Sequence, residues 1–310
     1  MIIKKSIMIL KKRNSFFFSS VSDNHESSET IRETTFQFGL FKKNLPKNIK
    51  KINSAFLEWF IGFSEGDGSF IVGRPKTEVT RLFFTLVQED AEILNKIRST
   101  LGFGSVQSHG KHFRYSVTDA ESIDRLIHLF NGNLVLNKSR ERFHLWLQAR
   151  NEIRLSPTAR IRAEKIEERK TVLDIDFLSC GWLSGFTDAE GCFNFKTPLN
   201  KDSDSFNVVC RFVLVQKGEH KVLEKIKECI GFGSTQYYES TEVSRYFLTK
   251  LEYLDILMKY FKKFPLRTKK KFCKVRMEKM MEYKRTKKLV PWEGKVLKRI
   301  LKLIQQNKKS

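Results

Sequence analysis

The sequence predicts an α+β fold made twice, each unit running helix, strand, strand, helix, strand, strand, helix, with the strands packed under helices on one face. Three observations predict it. Trp59 to Phe70 and Trp182 to Phe193 run in register 123 positions apart, and both close on acid-x-acid-Gly, as Glu65-Gly66-Asp67-Gly68 and Asp188-Ala189-Glu190-Gly191. A β-rich run, Phe83 to Gln88, returns as Arg211 to Gln216. An amphipathic run from Ile93 to Ser105 returns from Val222 to Ser234. The offset grows from 123 at the first pair to 128 at the glutamines and 131 at Arg114 and Arg245, so length was gained in loops, notably around Pro198 to Ser205.

Residues 1–50 read as a basic arm or an organelle targeting segment. Met1 to Asn14 carries lysine and arginine without an acid, a Phe/Ser run follows, and the stretch around Glu26 to Glu33 is polar. The first repeat is placed at 51–152. Apolar residues at 56, 57, 60, 61 and 63 have helical spacing, and Gly68 stops that helix. Short strands are expected at Phe70–Val72 and Leu82–Val87, then a helix carrying Ile93, Leu94, Ile97 and Leu101 that ends at Gly102. Two more strands, near Ser105–Ser108 and Phe113–Val117, lead to a helix from Ile123 to Phe130. A charged linker is placed at 153–176, and the second repeat with C-terminal helices at 177–310. Leu155-Ser156-Pro157 and Leu289-Val290-Pro291 each precede a charged helical pattern.

Fifty-eight Lys and Arg against 35 acids give the 310-residue chain a net charge of +23. Such an excess seeks a polyanion, nucleic acid ahead of an anionic membrane surface. No run approaches the roughly 18 apolar residues of a membrane-spanning helix. The five cysteines show no paired spacing and no CxxC, which argues against a disulfide framework or a zinc ribbon. The histidines are scattered, so a His/Cys metal cluster has little support.

An acid pair repeated inside so basic a chain asks for a reason. Gly62 and Gly66 lie four apart, and Gly181, Gly185 and Ala189 form a similar stripe, so two smooth helices can approach backbone to backbone. Their C-terminal ends then bring Asp67 beside Glu190, where like charges and helix dipoles are unfavourable until neutralised. A hard divalent cation resolves the conflict, and carboxylate oxygens suit Mg²⁺. Such an ion activates water and stabilises the leaving oxygen of a phosphodiester.

Both segments resemble the signature of the LAGLIDADG homing endonucleases in their single-chain, two-copy form, and Leu183 to Gly191 is the nearer match. The resemblance covers about residues 55–305. It implies a pseudo-twofold monomer with the motif helices at the central interface. Two four-stranded antiparallel sheets would form a saddle over double-stranded DNA, and the last motif acids, Asp67 and Glu190, would bind Mg²⁺ or another divalent cation at the scissile phosphates. It further implies catalytic roles for Gln88 and Gln216 and for the lysine pair Lys138 and Lys269, with Lys270 and Lys271 adjacent. Glu65 and Asp188 read as helix-end or support residues. Ser64 and Thr187 replace a usual apolar residue, and Glu65 a usual aspartate. By parity with the glutamines, sequence readout is assigned to Arg81, Phe83, Thr85, Gln107 and Arg114, and to Asn194, Lys196, Arg211, Gln236, Tyr238 and Arg245.

The expected activity is therefore metal-dependent hydrolysis of both strands at a long asymmetric DNA target. The competing reading is an intron-encoded RNA maturase that assists splicing of its host intron, alone or beside cleavage. A DNA-binding regulator with a dead site is a third reading, weakened by the two intact acids. The terminal residues lack a His-Asn splice junction, so an intein is not expected. The high Phe, Lys and Ile content fits an AT-rich organellar gene, mitochondrial first and chloroplast second.

Overall fold

The computed structural model describes residues 31–49, 51–73, 80–157, 159–196 and 209–286, together with Lys302 and Gln305. A short strand, β1 (Ile31–Glu33), and a helix, α1 (Gly39–Lys43), precede the first repeat. That repeat runs α2 (Ser54–Asp67), β2 (Gly68–Gly73), β3 (Arg81–Gln88), α3 (Ala91–Leu101), β4 (Ser105–His109), β5 (His112–Val117), α4 (Ala120–Phe130) and α5 (Asn137–Leu155). After β6 (Thr171–Leu173) the second repeats the order as α6 (Trp182–Glu190), β7 (Gly191–Lys196), β8 (Val209–Lys217), α7 (His220–Ile230), β9 (Ser234–Tyr238), β10 (Val243–Leu248), α8 (Leu251–Lys263) and α9 (Lys270–Thr286).

The two antiparallel sheets have the same strand order, β2-β3-β5-β4 and β7-β8-β10-β9. Alternation builds them: Leu82, Phe84 and Leu86 are buried while Arg81 and Val87 are exposed, so β3 has one core face and one open face. The core repeats as an aromatic triangle. Phe70, Phe84 and Phe130 have ring centroids 5.1–5.6 Å apart, and Phe193, Phe212 and Phe261 answer them at 5.2–6.3 Å. Asp90 and Asp119 cap α3 and α4 through their side chains, and Asn53 does so for α2. The duplicated α+β architecture is as the sequence predicts.

Three expectations are corrected. Residues 31–49 are not a free arm: β1 pairs in parallel with β6, and Phe38 and Phe41 are buried. Gln37 and Asn133 exchange hydrogen bonds, backbone N–H to Oδ1 and Nδ2 to carbonyl. Three aromatics at Phe36, Phe38 and Phe41 give this segment enough apolar surface to dock. The 153–176 linker is not loose. Asn151 and Ile166 exchange hydrogen bonds, Arg150 donates to the Glu164 carbonyl, and Asn131 holds Glu167 and Arg169. Nor is the charged stretch after Pro157 helical. Residues 159–170 form neither helix nor strand, and side chains of α5 and of Asn131 take several of their backbone hydrogen bonds. The first repeat also carries one helix more than expected, α5, whereas α9 falls among the C-terminal helices placed in the second. Residues 1–30 of the arm or targeting segment placed at 1–50, the loop at Pro198–Ser205 and the Leu289-Val290-Pro291 echo lie outside the described residues. Among the described residues no helix is long and apolar enough to cross a membrane.

Candidate active site at the crossing helices

The two motif helices touch through their backbones. A methyl group on Gly62 would stand 2.1 Å from the Trp182 carbonyl oxygen, and one on Gly185 only 1.8 Å from that of Trp59. Gly181 abuts the Ala55 carbonyl at 2.5 Å and Gly66 abuts the Ala189 methyl at 2.3 Å. All five interface residues singled out from sequence thus face the crossing. Gly68 and Gly191 close the helices in extended backbone, turning the chain directly into β2 and β7, each an edge strand of its sheet.

That turn fixes where the acids go. Asp67 and Glu190 end their helices side by side, with the Glu190 Oε1 3.6 Å from the position of a Gly66 methyl. Burial raises both carboxyls above their usual values, and repulsion adds to it: Asp67 raises Glu190, and Asp188 raises Asp67. Gln88 donates to Asp67 Oδ2 at 2.7 Å. Gln216, buried, stands near enough to favour ionised Glu190, while its Nε2 completes no hydrogen bond.

Two lysines stand over the acids. Lys138, second residue of α5, is half-buried, and burial lowers it while Glu190 pulls it back up. Lys270, first residue of α9, donates to the carbonyls of Thr187 at 3.2 Å and Ala189 at 2.7 Å. Burial lowers it too, against Asp188, Asp67 and Glu190. Lys269, the residue chosen from sequence, is 68% exposed and reaches out to Asp90 at 3.4 Å. The reason is one of register. The backbone offset between repeats has reached 132 by Val135 and Arg267, one more than at Arg114 and Arg245, so Lys270 is the counterpart of Lys138. A cavity of about 470 Å³ opens beside Asp67, lined by Gln88, Asp90, His112, Arg267 and Lys269 to Phe272. In the other half Glu219 is buried and accepts from the Lys138 N–H at 2.8 Å, capping α5 across the repeats.

The earlier motif acids are buried anchors, not solvated helix ends. Glu65 accepts from Val135 N, Leu136 N and the Trp182 indole at 2.6–3.0 Å, and burial pushes its carboxyl up to about 7. Asp188 accepts from Arg267 N, Thr268 N and the Trp59 indole at 2.7–3.2 Å. Each indole crosses to the other helix. The two tryptophans occupy equal motif positions in the sequence, a signal that was there to be used and was passed over. Ser64 and Thr187 lie buried with hydroxyls that find no partner.

The residues assigned to readout share the open face, but the glutamines do not share their parity. Gln88 and Gln216 have the core-side parity of Leu86 and Leu214, whereas Arg81, Phe83 and Thr85 lie on the open side, as do Arg114 and Gln107 by cross-strand pairing. Asn194, Arg211, Gln236, Tyr238 and Arg245 share the open face of the second sheet, where Lys196 holds the same register parity. Arg211 lies 4.2 Å over the Phe247 ring and Arg245 5.0 Å over Tyr238. Among the described strand residues, neither open face carries an acid.

The donor set fits a divalent cation. Two partly desolvated carboxylates bring hard oxygen ligands of the kind such a cation takes.

Comparison with known proteins matches both repeats. A family model described as LAGLIDADG endonuclease matches residues 60–150 and again 183–281. The chain is 37% identical over 223 residues to a probable intron-encoded endonuclease 4 of Neurospora crassa, covering 70% of this chain and 38% of that protein. It is 27% identical to the intron-encoded RNA maturase bI4 of Saccharomyces cerevisiae over 55% of this chain and 26% of that protein. The chain thus spans well under half of the length of either relative. The solved LAGLIDADG meganuclease I-AabMI, bound to uncleaved DNA, superposes with a TM-score of 0.67 at 20% identity, covering 82% of this chain and 98% of that one.

Proposed function

The chain belongs to the LAGLIDADG endonuclease family, and from that membership we propose that it is a site-specific, double-strand DNA endonuclease of the homing type. The observation that carries this reading is the meeting of Asp67 and Glu190 at the crossing of the two motif helices, which lead directly into two sheets whose open faces carry no acid among the described strand residues. Basic and polar side chains on those faces would span a long asymmetric target. Arg81, Arg114, Arg211 and Arg245 suit guanine edges, and the remaining positive charge grips phosphates.

Asp67 and Glu190 would hold Mg²⁺ or another divalent cation. When bound, it supplies activation of water and neutralisation of the leaving oxygen. The chain's own groups then do the positioning. Gln88 fixes the Asp67 carboxylate, and Gln216 favours the ionised form of Glu190. Lys138 and Lys270, lowered by burial, sit where they can hold a scissile phosphate or draw a proton from the attacking water. The setting we propose is an organelle, a mitochondrion first; the Phe-, Lys- and Ile-rich composition and the intron-encoded relatives support it.

The test is Mg²⁺-dependent cutting of a plasmid library, comparing the wild type with Asp67→Asn and Glu190→Gln. The wild type linearises one long recurrent sequence, and each substitution costs about 100-fold or more. Full cutting by both substituted proteins would refute the metal assignment. The yeast maturase relative favours a second reading, RNA-assisted splicing, and tight binding of an intron RNA without DNA cutting would select it.

A further inference from the structure

Glu65 and Asp188 lie two residues before the paired acids and take no part in the chemistry assigned so far. Each gathers donors from two directions. Glu65 holds the peptide N–H groups of Val135 and Leu136, three and two residues before Lys138, and the Trp182 indole from the other repeat. Asp188 holds those of Arg267 and Thr268, three and two residues before Lys270, and the Trp59 indole. The arrangement is the same in both halves. It ties the last turn of each motif helix to the start of the helix that carries a lysine.

The lysines then cross over. Lys138 comes from the first repeat, and Glu190 of the second is the acid that acts on it most. Lys270 comes from the second repeat, donates to the Thr187 and Ala189 carbonyls at the end of its own motif helix, and lines the cavity beside Asp67 of the first. Each half-site is therefore assembled from both repeats. With only two residues between anchor and lysine, a shift of the anchoring carboxylate by a methylene has no slack to absorb it. A displacement near 1 Å at a reacting group costs about 100-fold in favourable cases.

We infer that Glu65 and Asp188 are positioning residues, each setting the lysine of its own repeat in the half-site whose acid belongs to the other: Glu65 governs the strand cut beside Glu190, and Asp188 the strand cut beside Asp67. This rests on the endonuclease reading and deepens it.

Strand-resolved nicking of a target labelled on either strand tests it. Lys138→Met and Lys270→Met first identify which strand depends on which lysine. Glu65→Asp then slows the Lys138-dependent strand about tenfold more than the other. Asp188→Glu skews the ratio the opposite way, and Glu65→Gln, which restores an acceptor oxygen at full reach, brings it back toward the wild-type value. Equal slowing of both strands by Glu65→Asp and by Asp188→Glu overturns the inference, since a purely structural role lowers both rates together. If Glu65→Asp fails to fold, Asp188→Glu decides by the same measurement. A second readout needs neither metal nor cutting. In metal-free protein, the isotope-labelled side-chain signal of Lys138 shifts in Glu65→Asp while that of Lys270 stays, and the reverse holds in Asp188→Glu. Unmoved lysine signals refute the positioning role. Failure of the wild type to cut either strand counts against the endonuclease reading instead.

Discussion

At Gly62 and Gly185 the neighbouring atom is a backbone carbonyl, which cannot rotate away, so the helices themselves must separate to admit a methyl group. Gly185→Ala is expected to cost about 3 kcal/mol, a fall in melting temperature of roughly 6–10 °C by calorimetry. Gly39→Ala, where an added methyl meets nothing within 4 Å, leaves the melt unchanged. Glu65 makes a second prediction. Burial raises its carboxyl from 4.5 to about 7 against the pull of its three N–H donors. The folded value exceeds the unfolded one, so folding favours the neutral acid. The stability linked to it is fully present below pH 4.5 and is lost as pH rises through 7. It amounts to something on the order of 3 kcal/mol. Urea midpoints of the wild type should therefore fall relative to Glu65→Gln between about pH 5 and about pH 7.5, and parallel curves would show that Glu65 titrates like a free acid. The importance of this residue was hidden in the sequence. Acid-x-acid-Gly announces two acids, but only the fold shows that one is enclosed by peptide N–H groups and an indole some 70 to 117 positions away.

Elements with strong local periodicity were legible, and those held by distant partners were not. The strands of both sheets, α3 and α4 are bounded to within a few residues by alternation, caps and glycine stops. Helix α5 was missed because its mixed surface of arginines, glutamates and polar residues has no clean apolar stripe. Only Phe143, Trp146, Leu147 and Ala149 among its apolar residues turn fully inward. The 31–49 segment was missed for a related reason. Its strand has three residues and its helix five, too short for any period to show, and its anchors Asn133 and Thr171 lie in other parts of the chain. Docking of this segment has a measurable consequence. Phe41→Ala, at a fully buried position, is expected to cost about 3 kcal/mol in urea unfolding. A side chain on a free arm would change stability by less than about 0.5 kcal/mol.

For the whole molecule, a charge of +23 with no acid among the described strand residues of either open sheet face calls for binding that weakens steeply with salt. Anisotropy titrations on the cognate duplex between about 50 and about 200 mM salt should show two classes of substitution. Arg114→Ala costs about 1–3 kcal/mol and relaxes preference at one base pair, whereas Lys217→Ala weakens all sequences alike and lowers the salt slope by about one. A uniform loss from Arg114→Ala, with no change in preference, would make it a phosphate contact. The crossing of the lysines has a last consequence, for what duplication means in this chain. Two copies of a motif suggest a spare, one able to work when the other fails. Here each copy lends its lysine to the other's acid, and each indole closes the other's anchor. Loss of either copy as a whole therefore takes a part from both halves of the site, and the doubled sequence provides interdependence in place of redundancy.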